Sequence, residues 1–206
     1  MSDNQFSRRD FMKVTGAGTA GFVLGNKVSE AGAAEVDTSP ASPPMPERPL
    51  GRTGHDVRLF SLGGQATIER PGTDAESEAI INRAIDLGVN YIDTAAAYGR
   101  GISQVYIGRV MATRRDEVFL ATKTHNRTRD GSLELLEQSL ESLQTDHLDL
   151  WQLHNISRTE QLDQIFADDG AIHALLQAKE EGIVKNLGIT GHADPDTAGG
   201  INNPAR

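Results

Sequence analysis

Strand-like and helix-like patterns alternate strictly along most of the chain, and this alternation restricts the fold more than any other feature of the sequence. Short apolar runs of strand length are separated by segments in which the apolar residues have helical spacing. This order predicts an α/β protein with a parallel sheet covered by helices. A closed (β/α)8 barrel and an open doubly wound sheet both satisfy the pattern, so periodicity leaves that choice open. The predicted strands are Val57–Leu62, Val89–Asp93, Val118–Thr122, Leu148–Leu153 and Val184–Ile189.

Helices are predicted in the segments between these strands, with two of them between the fourth and fifth strands. The turn Leu50–Gly54 joins two short runs and predicts a small β-hairpin ahead of the first strand. The predicted helices are Ala75–Leu87, Ser103–Ala112, Leu133–Leu143, Glu160–Phe166 and Ala171–Glu181.

Composition excludes several classes of site and partner. The chain has no cysteine, so disulfides, thiolate nucleophiles and cysteine-ligated metal sites are excluded, and no other metal site is predicted. Its net charge is −9 and it has no basic run, which argues against nucleic acid as a partner. No apolar stretch reaches the length of about 18 residues that a membrane-spanning helix needs, so no stable membrane span is predicted.

The N-terminus has the features of an export signal. The segment Ser7–Lys13 (SRRDFMK) matches a twin-arginine motif, and a weakly apolar stretch follows from Val14 to Leu24. Ala31-Gly32-Ala33 supplies the small residues that a signal peptidase requires, which predicts cleavage after Ala33. We therefore expect residues 1–33 to be a signal read by the Tat translocase, and a periplasmic or extracellular location.

A proline-rich tract separates this signal from the ordered chain, so we interpret residues 34–48 as a linker and residues 49–206 as the domain. The signal region also contains a dinucleotide-like G-x-G-x-x-G pattern at Gly16–Gly21. That fingerprint works only between a strand and a helix, and no convincing strand precedes it here. We therefore reject it as a cofactor site.

Four polar residues fall at or just after the ends of successive predicted strands. Asp93 ends the second strand and Tyr98 follows in its loop, while Lys123 and His154 follow the third and fourth strands. Each alone has an ordinary explanation as a solvated or packed side chain. Because the carboxyl ends of parallel strands meet at one edge, their joint occurrence predicts a shared site.

The segments around these residues resemble the aldo-keto reductase family, and the resemblance runs in order from about Pro49 to His192. This resemblance selects the barrel over the open sheet. The matching segments are Tyr91–Gly99 (YIDTAAAYG), Ala121–Lys123 (ATK), Asp146–His154 (DHLDLWQLH) and Gly182–Thr190 (GIVKNLGIT).

The resemblance implies hydride transfer between NADP(H), with NAD(H) as the alternative, and a small carbonyl substrate. Tyr98 would supply the proton to the substrate oxygen, and the ammonium group of Lys123 would favour the phenolate. Asp93 would pair with Lys123, and His154 would hydrogen-bond and orient the substrate oxygen or share in proton relay.

The sequence says less about contacts with the cofactor. Gly63-Gly64 at the end of the first strand, with Gly64 as the expected contact, would let the backbone approach the nicotinamide ribose, although packing at a tight turn explains these glycines equally well. Asp93 and Thr190 are the other expected contacts, with Thr190 in the place of a family serine. Gly191 follows where the family usually has asparagine, which weakens the expected grip on the carboxamide.

The five predicted strands, with an N-terminal hairpin, are fewer than a complete barrel of about 250 residues requires. We therefore expect an incomplete (β/α)8 TIM barrel of about five βα units, derived by C-terminal truncation of a reductase, with unpaired sheet edges that could self-associate. One alternative is a non-catalytic half-barrel that acts as a remnant or binding module. Another is a different barrel enzyme that forms a Schiff base on Lys123.

Overall fold

A computed structural model describes residues 44–192. The predicted Tat signal, most of the predicted linker and the C-terminal residues 193–206 lie outside the described residues. The first strand begins at Glu47, two residues before the predicted start of the domain at Pro49. Within residues 44–192, none of the helices has the length and apolar character that crossing a membrane would require.

The described chain consists of a small hairpin followed by alternating strands and helices, as the pattern predicted. The strands are β1 (Glu47–Pro49), β2 (Asp56–Arg58), β3 (Leu62–Gly63), β4 (Tyr91–Asp93), β5 (Phe119–Thr124), β6 (Leu148–Leu153) and β7 (Val184–Ile189). The helices are α1 (Asp74–Asp86), α2 (Ile102–Arg114), α3 (Arg129–Ser142), α4 (Thr159–Phe166) and α5 (Ala171–Glu180), with 3-10 turns at Tyr98–Gly101 and Arg115–Glu117.

The predicted single strand Val57–Leu62 is wrong, because the structure divides it between two sheets. Arg58 ends β2, which pairs antiparallel with β1, whereas Leu62 begins β3 and pairs with Ile92 of β4. The intervening Leu59 and Phe60 are 69% and 65% exposed. The chain therefore changes direction within a continuous apolar run, and hydrophobic periodicity does not detect such a change.

The main sheet contains β3 to β7 in sequence order, and each pair of neighbours is parallel. Parallel strands joined by helices in this order form part of a (β/α)8 barrel, which confirms the predicted fold class. Strand residues such as Ile92, Leu120 and Trp151 form one buried core with helix residues such as Ile81 and Ile107. This core fixes the strand positions, and thereby the edge at which the carboxyl ends meet.

Candidate active site

The carboxyl edge of the sheet brings together all four residues that the sequence singled out. Asp93 is the last residue of β4, Lys123 is the penultimate residue of β5, and His154 directly follows β6. Tyr98 opens the 3-10 turn that follows β4. Its ring lies edge-on to the His154 ring, with centroids 5.5 Å apart and an interplanar angle of 83°.

Lys123 is the centre of this group. Its side chain is only 4% exposed, and Nζ lies 2.5 Å from Oδ2 of Asp93. The same ammonium group donates to the backbone oxygen of Thr94 at 2.8 Å and to Oη of Tyr98 at 3.3 Å. An ammonium group has three donors, so these contacts use all of them. The cation is therefore fixed in position beside the phenol.

Tyr98 is directed into the site by an unusual turn. Gly99, Arg100 and Gly101 all have positive φ, at 56°, 57° and 93°. A Cβ atom at position 99 would collide with the backbone oxygen of Glu69, so only glycine fits this close approach. The amide of Gly99 donates to Oε2 of Glu69 at 2.8 Å, which anchors the turn.

His154 lies in an environment that opposes its protonation. Burial, with smaller contributions from neighbouring positive groups, lowers the pKa of its imidazole from 6.5 to about 4. The imidazole is therefore neutral at neutral pH, with one nitrogen able to donate and the other able to accept. The contributing positive groups are Lys123, His125, Arg127 and His192.

These side chains face one cavity of about 430 Å³. The cavity also reaches the first residues after β7, because Thr190 and His192 form part of its wall. The complete lining is Ser61, Leu62, Gly63, Tyr91, Asp93, Tyr98, Lys123, Gln152, His154, Thr190 and His192.

The chain matches the model of the aldo/keto reductase family over residues 59–199, which includes every residue of the group just described. The chain belongs to the aldo/keto reductase family. A second match covers residues 5–25 and identifies a TAT (twin-arginine translocation) pathway signal sequence.

Individual relatives are similar over the same region. The uncharacterized oxidoreductase YqkF of Bacillus subtilis is 33% identical over 159 residues, which cover 71% of this chain and 49% of that protein. Aldo-keto reductase AKR11C1 from Bacillus halodurans (holo form) superposes with a TM-score of 0.61 at 30% identity, covering 71% of this chain and 50% of that one. An aldo-keto reductase from Klebsiella pneumoniae in complex with NADPH has a TM-score of 0.58 at 25% identity, covering 69% and 48%. The chain thus spans about half the length of the relatives it matches.

Among the expected cofactor contacts of this aldo/keto reductase, Gly64 packs inside the protein and Gly63 lines the cavity. Gly64 is buried, and an added Cβ would lie 2.5 Å from Oγ of Ser103 and 3.0 Å from the backbone oxygen of Asp93. An added Cβ at Gly63 would meet nothing within 4 Å. The geometry therefore favours the packing explanation for Gly64. At Gly63, by contrast, the backbone has open space in which a ligand can approach.

Thr190 is placed at the cavity wall, as a cofactor contact requires. Its Oγ1 accepts a hydrogen bond from the amide of Asn155 at 2.9 Å. A hydroxyl that accepts in this way keeps its own proton for donation. Thr190 can therefore offer a hydrogen bond to a carbonyl-type oxygen in the cavity.

Gln152 is a cavity residue that the sequence analysis missed. Its Nε2 atom donates to Oδ1 of Asp93 at 3.4 Å, so the two oxygens of this carboxylate have different partners. Gln152 precedes His154 by two positions along an extended strand, and such residues share one face. That spacing was a signal in the sequence that could have identified it.

Tyr91 is the second tyrosine in the cavity, and it differs from Tyr98 in its surroundings. Burial, with a smaller contribution from the charge of Asp93, raises the pKa of Tyr91 to about 12. Its ring also stacks on Phe119, with centroids 5.3 Å apart. Tyr91 therefore remains protonated at neutral pH and forms part of the cavity wall.

Proposed function

We propose that this chain provides the catalytic edge of an NADP(H)-dependent carbonyl reductase, which converts a small aldehyde or ketone to the alcohol. The observation that carries the proposal is the position of the Tyr98 hydroxyl, 3.3 Å from the ammonium nitrogen of Lys123 and on the same cavity as His154. Reduction of a carbonyl requires a hydride at carbon and a proton at oxygen. A nicotinamide cofactor supplies the hydride when bound.

Tyr98 delivers the proton to the substrate oxygen. The phenolate that remains is stabilised by the Lys123 cation, because the two groups are in hydrogen-bond contact and the lysine side chain is buried. Asp93 pairs with the ammonium group and offsets the cost of burying it. The same pairing argues against Schiff-base chemistry on Lys123, which requires a neutral amine.

His154 orients the substrate. Because its imidazole stays neutral, it can donate one hydrogen bond to the carbonyl oxygen without competing with Tyr98 as the acid. The edge-on contact between the two rings, which both line the cavity, supports a joint role for them at the substrate oxygen. A carbonyl oxygen bound between them is directed at the Tyr98 hydroxyl.

The described residues fit the nicotinamide end of such a cofactor. Gly63 leaves open space at the end of β3, Thr190 offers a hydroxyl donor at the end of β7, and Asp93 lines the floor between them. The Klebsiella pneumoniae relative is a complex with NADPH, which supports NADP(H) over NAD(H) as the cofactor here. Gly64 contributes by packing that positions Gly63.

The twin-arginine signal supports export of this protein across the cytoplasmic membrane. We propose that the Tat translocase is its partner in transit and that the periplasm or the extracellular space is its destination. Fusing residues 1–33 to a reporter and locating that reporter in fractionated cells tests this part. A pair of lysines in place of Arg8 and Arg9 is expected to retain the reporter in the cytoplasm.

The direct test of activity follows the near-UV absorbance of NADPH during turnover of a generic aldehyde by the full chain. We expect Tyr98→Phe to lower turnover by about a hundredfold or more, since positioned acid catalysis contributes about that much. NADPH affinity should remain near that of the wild type. Tyr106→Phe is the matched control, because the Tyr106 hydroxyl contacts Gly72 and Arg70 away from the cavity. Equal turnover by Tyr98→Phe and wild type would refute the mechanism.

A second candidate function is a non-catalytic half-barrel that binds a partner or a second copy of itself. Within residues 44–192, β3 and β7 each have one hydrogen-bonded neighbour, and unpaired strand edges favour association. The exposed Leu59 and Phe60 lie beside β3. This candidate predicts a stable oligomer in analytical ultracentrifugation and no heat of NADPH binding in calorimetry.

A further inference from the structure

Arg127 is a cation without an acidic partner among the described residues 44–192. Its Nη2 atom donates to the backbone oxygen of His154 at 2.6 Å and to that of Asn155 at 3.4 Å. Its Nη1 atom is buried and has no hydrogen-bond partner there. Burial also lowers the pKa of this guanidinium. Holding an unpaired cation in this environment has a free-energy cost, so its retention calls for a function.

The carbonyl groups that Arg127 contacts belong to a strained turn directly after β6. Asn155 has a φ of 54°, in the left-handed region, which asparagine adopts more often than other residues with a side chain but which remains sparsely populated. The amide of His154 donates to the backbone oxygen of Thr124 at 2.8 Å, which ties the turn to β5. The amide of Asn155 donates to Thr190 Oγ1 at 2.9 Å, which ties it to the end of β7.

The amide groups and the carbonyl oxygens of this turn have different hydrogen-bond partners. Its amides bond to neighbouring strands of the sheet, whereas its two carbonyl oxygens are held by one guanidinium group. Strained backbone persists only where its surroundings over-determine it. Arg127 is the side chain that completes this restraint, and the residue so restrained carries the cavity imidazole.

We propose that Arg127 is a positioning residue for His154, and that its guanidinium holds the left-handed turn so that the imidazole faces the substrate oxygen beside Tyr98. This inference rests on the proposed reductase function for its kinetic consequences, although its structural core can be measured without turnover. A guanidinium suits the role, because its terminal Nη2 atom carries two hydrogens and contacts both carbonyl oxygens.

Arg127 affects His154 through its positive charge as well as through its hydrogen bonds to the turn. It is one of four positive neighbours that oppose protonation of the imidazole, together with Lys123, His125 and His192. Loss of Arg127 therefore releases the turn and removes a charge at the same time. Arg127→Lys separates the two effects, since it retains a charge, but its shorter side chain ends near the position of Cζ and does not bring a nitrogen to the place of Nη2.

A purely structural role is the competing explanation. The backbone oxygen of Arg127 accepts a hydrogen bond from the amide of Ala171 at 2.9 Å, so this loop also anchors the start of α5. A side chain that only stabilised the loop would change the free energy of unfolding. It would leave the imidazole resonances of His154 in the charge-retaining Arg127→Lys, and the distribution of effects between kcat and KM, unchanged.

The experiment compares Arg127→Met, Arg127→Lys and a matched control, Arg129→Gln, in the full chain. Arg129 is two residues away, exposed, and bonded to Gln177 through its guanidinium. The readouts are the His154 imidazole titration by NMR, the unfolding midpoint, and kcat and KM with NADPH and an aldehyde. If Arg127→Met does not fold, Arg127→Lys carries the test.

We expect Arg127→Met to raise the pKa of His154 above its value of about 4 and to lower kcat by about tenfold or more, because misplacement of a positioned group is costly in rate. Arg127→Lys should lower kcat while leaving the His154 titration closer to that of the wild type. Arg129→Gln should match the wild type in both. An unmoved His154 titration in Arg127→Met together with an unchanged kcat in Arg127→Lys would overturn the inference.

Failure of this inference can be distinguished from failure of the proposed function. If no variant and no wild-type chain turns over an aldehyde, but the His154 imidazole resonances shift in Arg127→Lys, which keeps the charge, and not in Arg129→Gln, the positioning role stands and the activity does not. If the wild-type chain is active and the Arg127 variants behave as Arg129→Gln does, the activity stands and the positioning role fails.

Discussion

The ammonium nitrogen of Lys123 lies 3.3 Å from the hydroxyl oxygen of Tyr98, although the two residues are separated by 25 positions in the chain. They meet because β4 and β5 are neighbours and their carboxyl ends share one edge. The other two donors of the ammonium group bond to Asp93 and to the backbone of Thr94. The cation thus cannot turn away from the phenol without losing a buried hydrogen bond.

The two partners of the buried ion pair should differ in their effect on stability. The side chain of Lys123 is 4% exposed, whereas that of Asp93 is 30% exposed. Asp93→Asn leaves a buried cation without its counter-charge, and we expect it to lower the free energy of unfolding by about 3 kcal/mol. Lys123→Met leaves a carboxylate that can reach water, so this variant should lower the free energy of unfolding by only about 1 kcal/mol.

Urea unfolding of the two single variants and the double variant checks this asymmetry. The double variant should be more stable than Asp93→Asn alone, since no buried charge then lacks a partner. If the two single variants lose the same free energy of unfolding, the exposed fraction of each charged side chain does not determine the cost of removing its partner.

Gly63 and Gly64 should respond in opposite ways to alanine. Gly64→Ala forces a Cβ against Oγ of Ser103 and is expected to cost about 1–3 kcal/mol of stability, as overpacking does. Gly63→Ala meets no atom within 4 Å of its added Cβ, so stability should hold while NADPH binding weakens. Thermal unfolding and calorimetric titration with NADPH measure the two effects.

The double variant Gly64→Ala with Ser103→Ala is the control for this pair of glycines. Removing the Ser103 hydroxyl should restore part of the stability lost in Gly64→Ala, because the nearest clashing atom is gone. A Gly64→Ala variant that stays as stable as the wild type but loses NADPH affinity would instead support Gly64 as the cofactor contact.

Gln152 offers a test of the Asp93 geometry through pH. Gln152→Glu places a second carboxyl group beside Oδ1 of Asp93, where the amide now donates at 3.4 Å. Two like charges at this distance repel each other, which favours uptake of a proton by one of the two carboxyl groups as the pH falls. At neutral pH the repulsion should draw Lys123 away from Tyr98 and lower turnover.

The deficit of Gln152→Glu relative to the wild type should shrink as the pH falls, since protonation removes the repulsion. Gln152→Met is the control, because it deletes the amide without adding a charge and its ratio to the wild type should not depend on pH. Rate measurements at matched ionic strength give both ratios. A pH-independent deficit in Gln152→Glu would argue against contact between the two carboxyl groups.

The sequence was sufficient to predict the parallel sheet and the four residues at its carboxyl edge. This succeeded because strand direction alone places Asp93, Lys123 and His154 at one edge, whatever the packing details. The first residue of α3 was harder to predict from the sequence. The helix begins at Arg129, four residues before its predicted start at Leu133, because its first turn carries no apolar residue. The Thr128 side chain that accepts from the Gly131 amide marks that start instead.

The remaining features depend on three-dimensional packing that periodicity does not encode. The choice between Gly63 and Gly64 depends on where the Ser103 side chain from α2 lies. The contact between Arg127 and the carbonyl oxygen of His154 joins two loops that the sequence separates by 27 positions. Neither loop shows a pattern that would pair them.

The neutral imidazole of His154 predicts a specific acid sensitivity of the fold. Its pKa is lowered to about 4 in the folded protein, against 6.5 for the unperturbed group, so between these values the unfolded chain binds a proton that the folded one does not. Stability should therefore decrease as the pH falls through this window, and His154→Asn should decrease less. His173→Asn is the control, since His173 lies exposed on α5, and it should follow the wild type. Unfolding midpoints measured from pH 7 to pH 4 test this prediction. If the midpoints of the wild type and His154→Asn fall in parallel as the pH decreases, the pKa of His154 is not lowered in the folded protein.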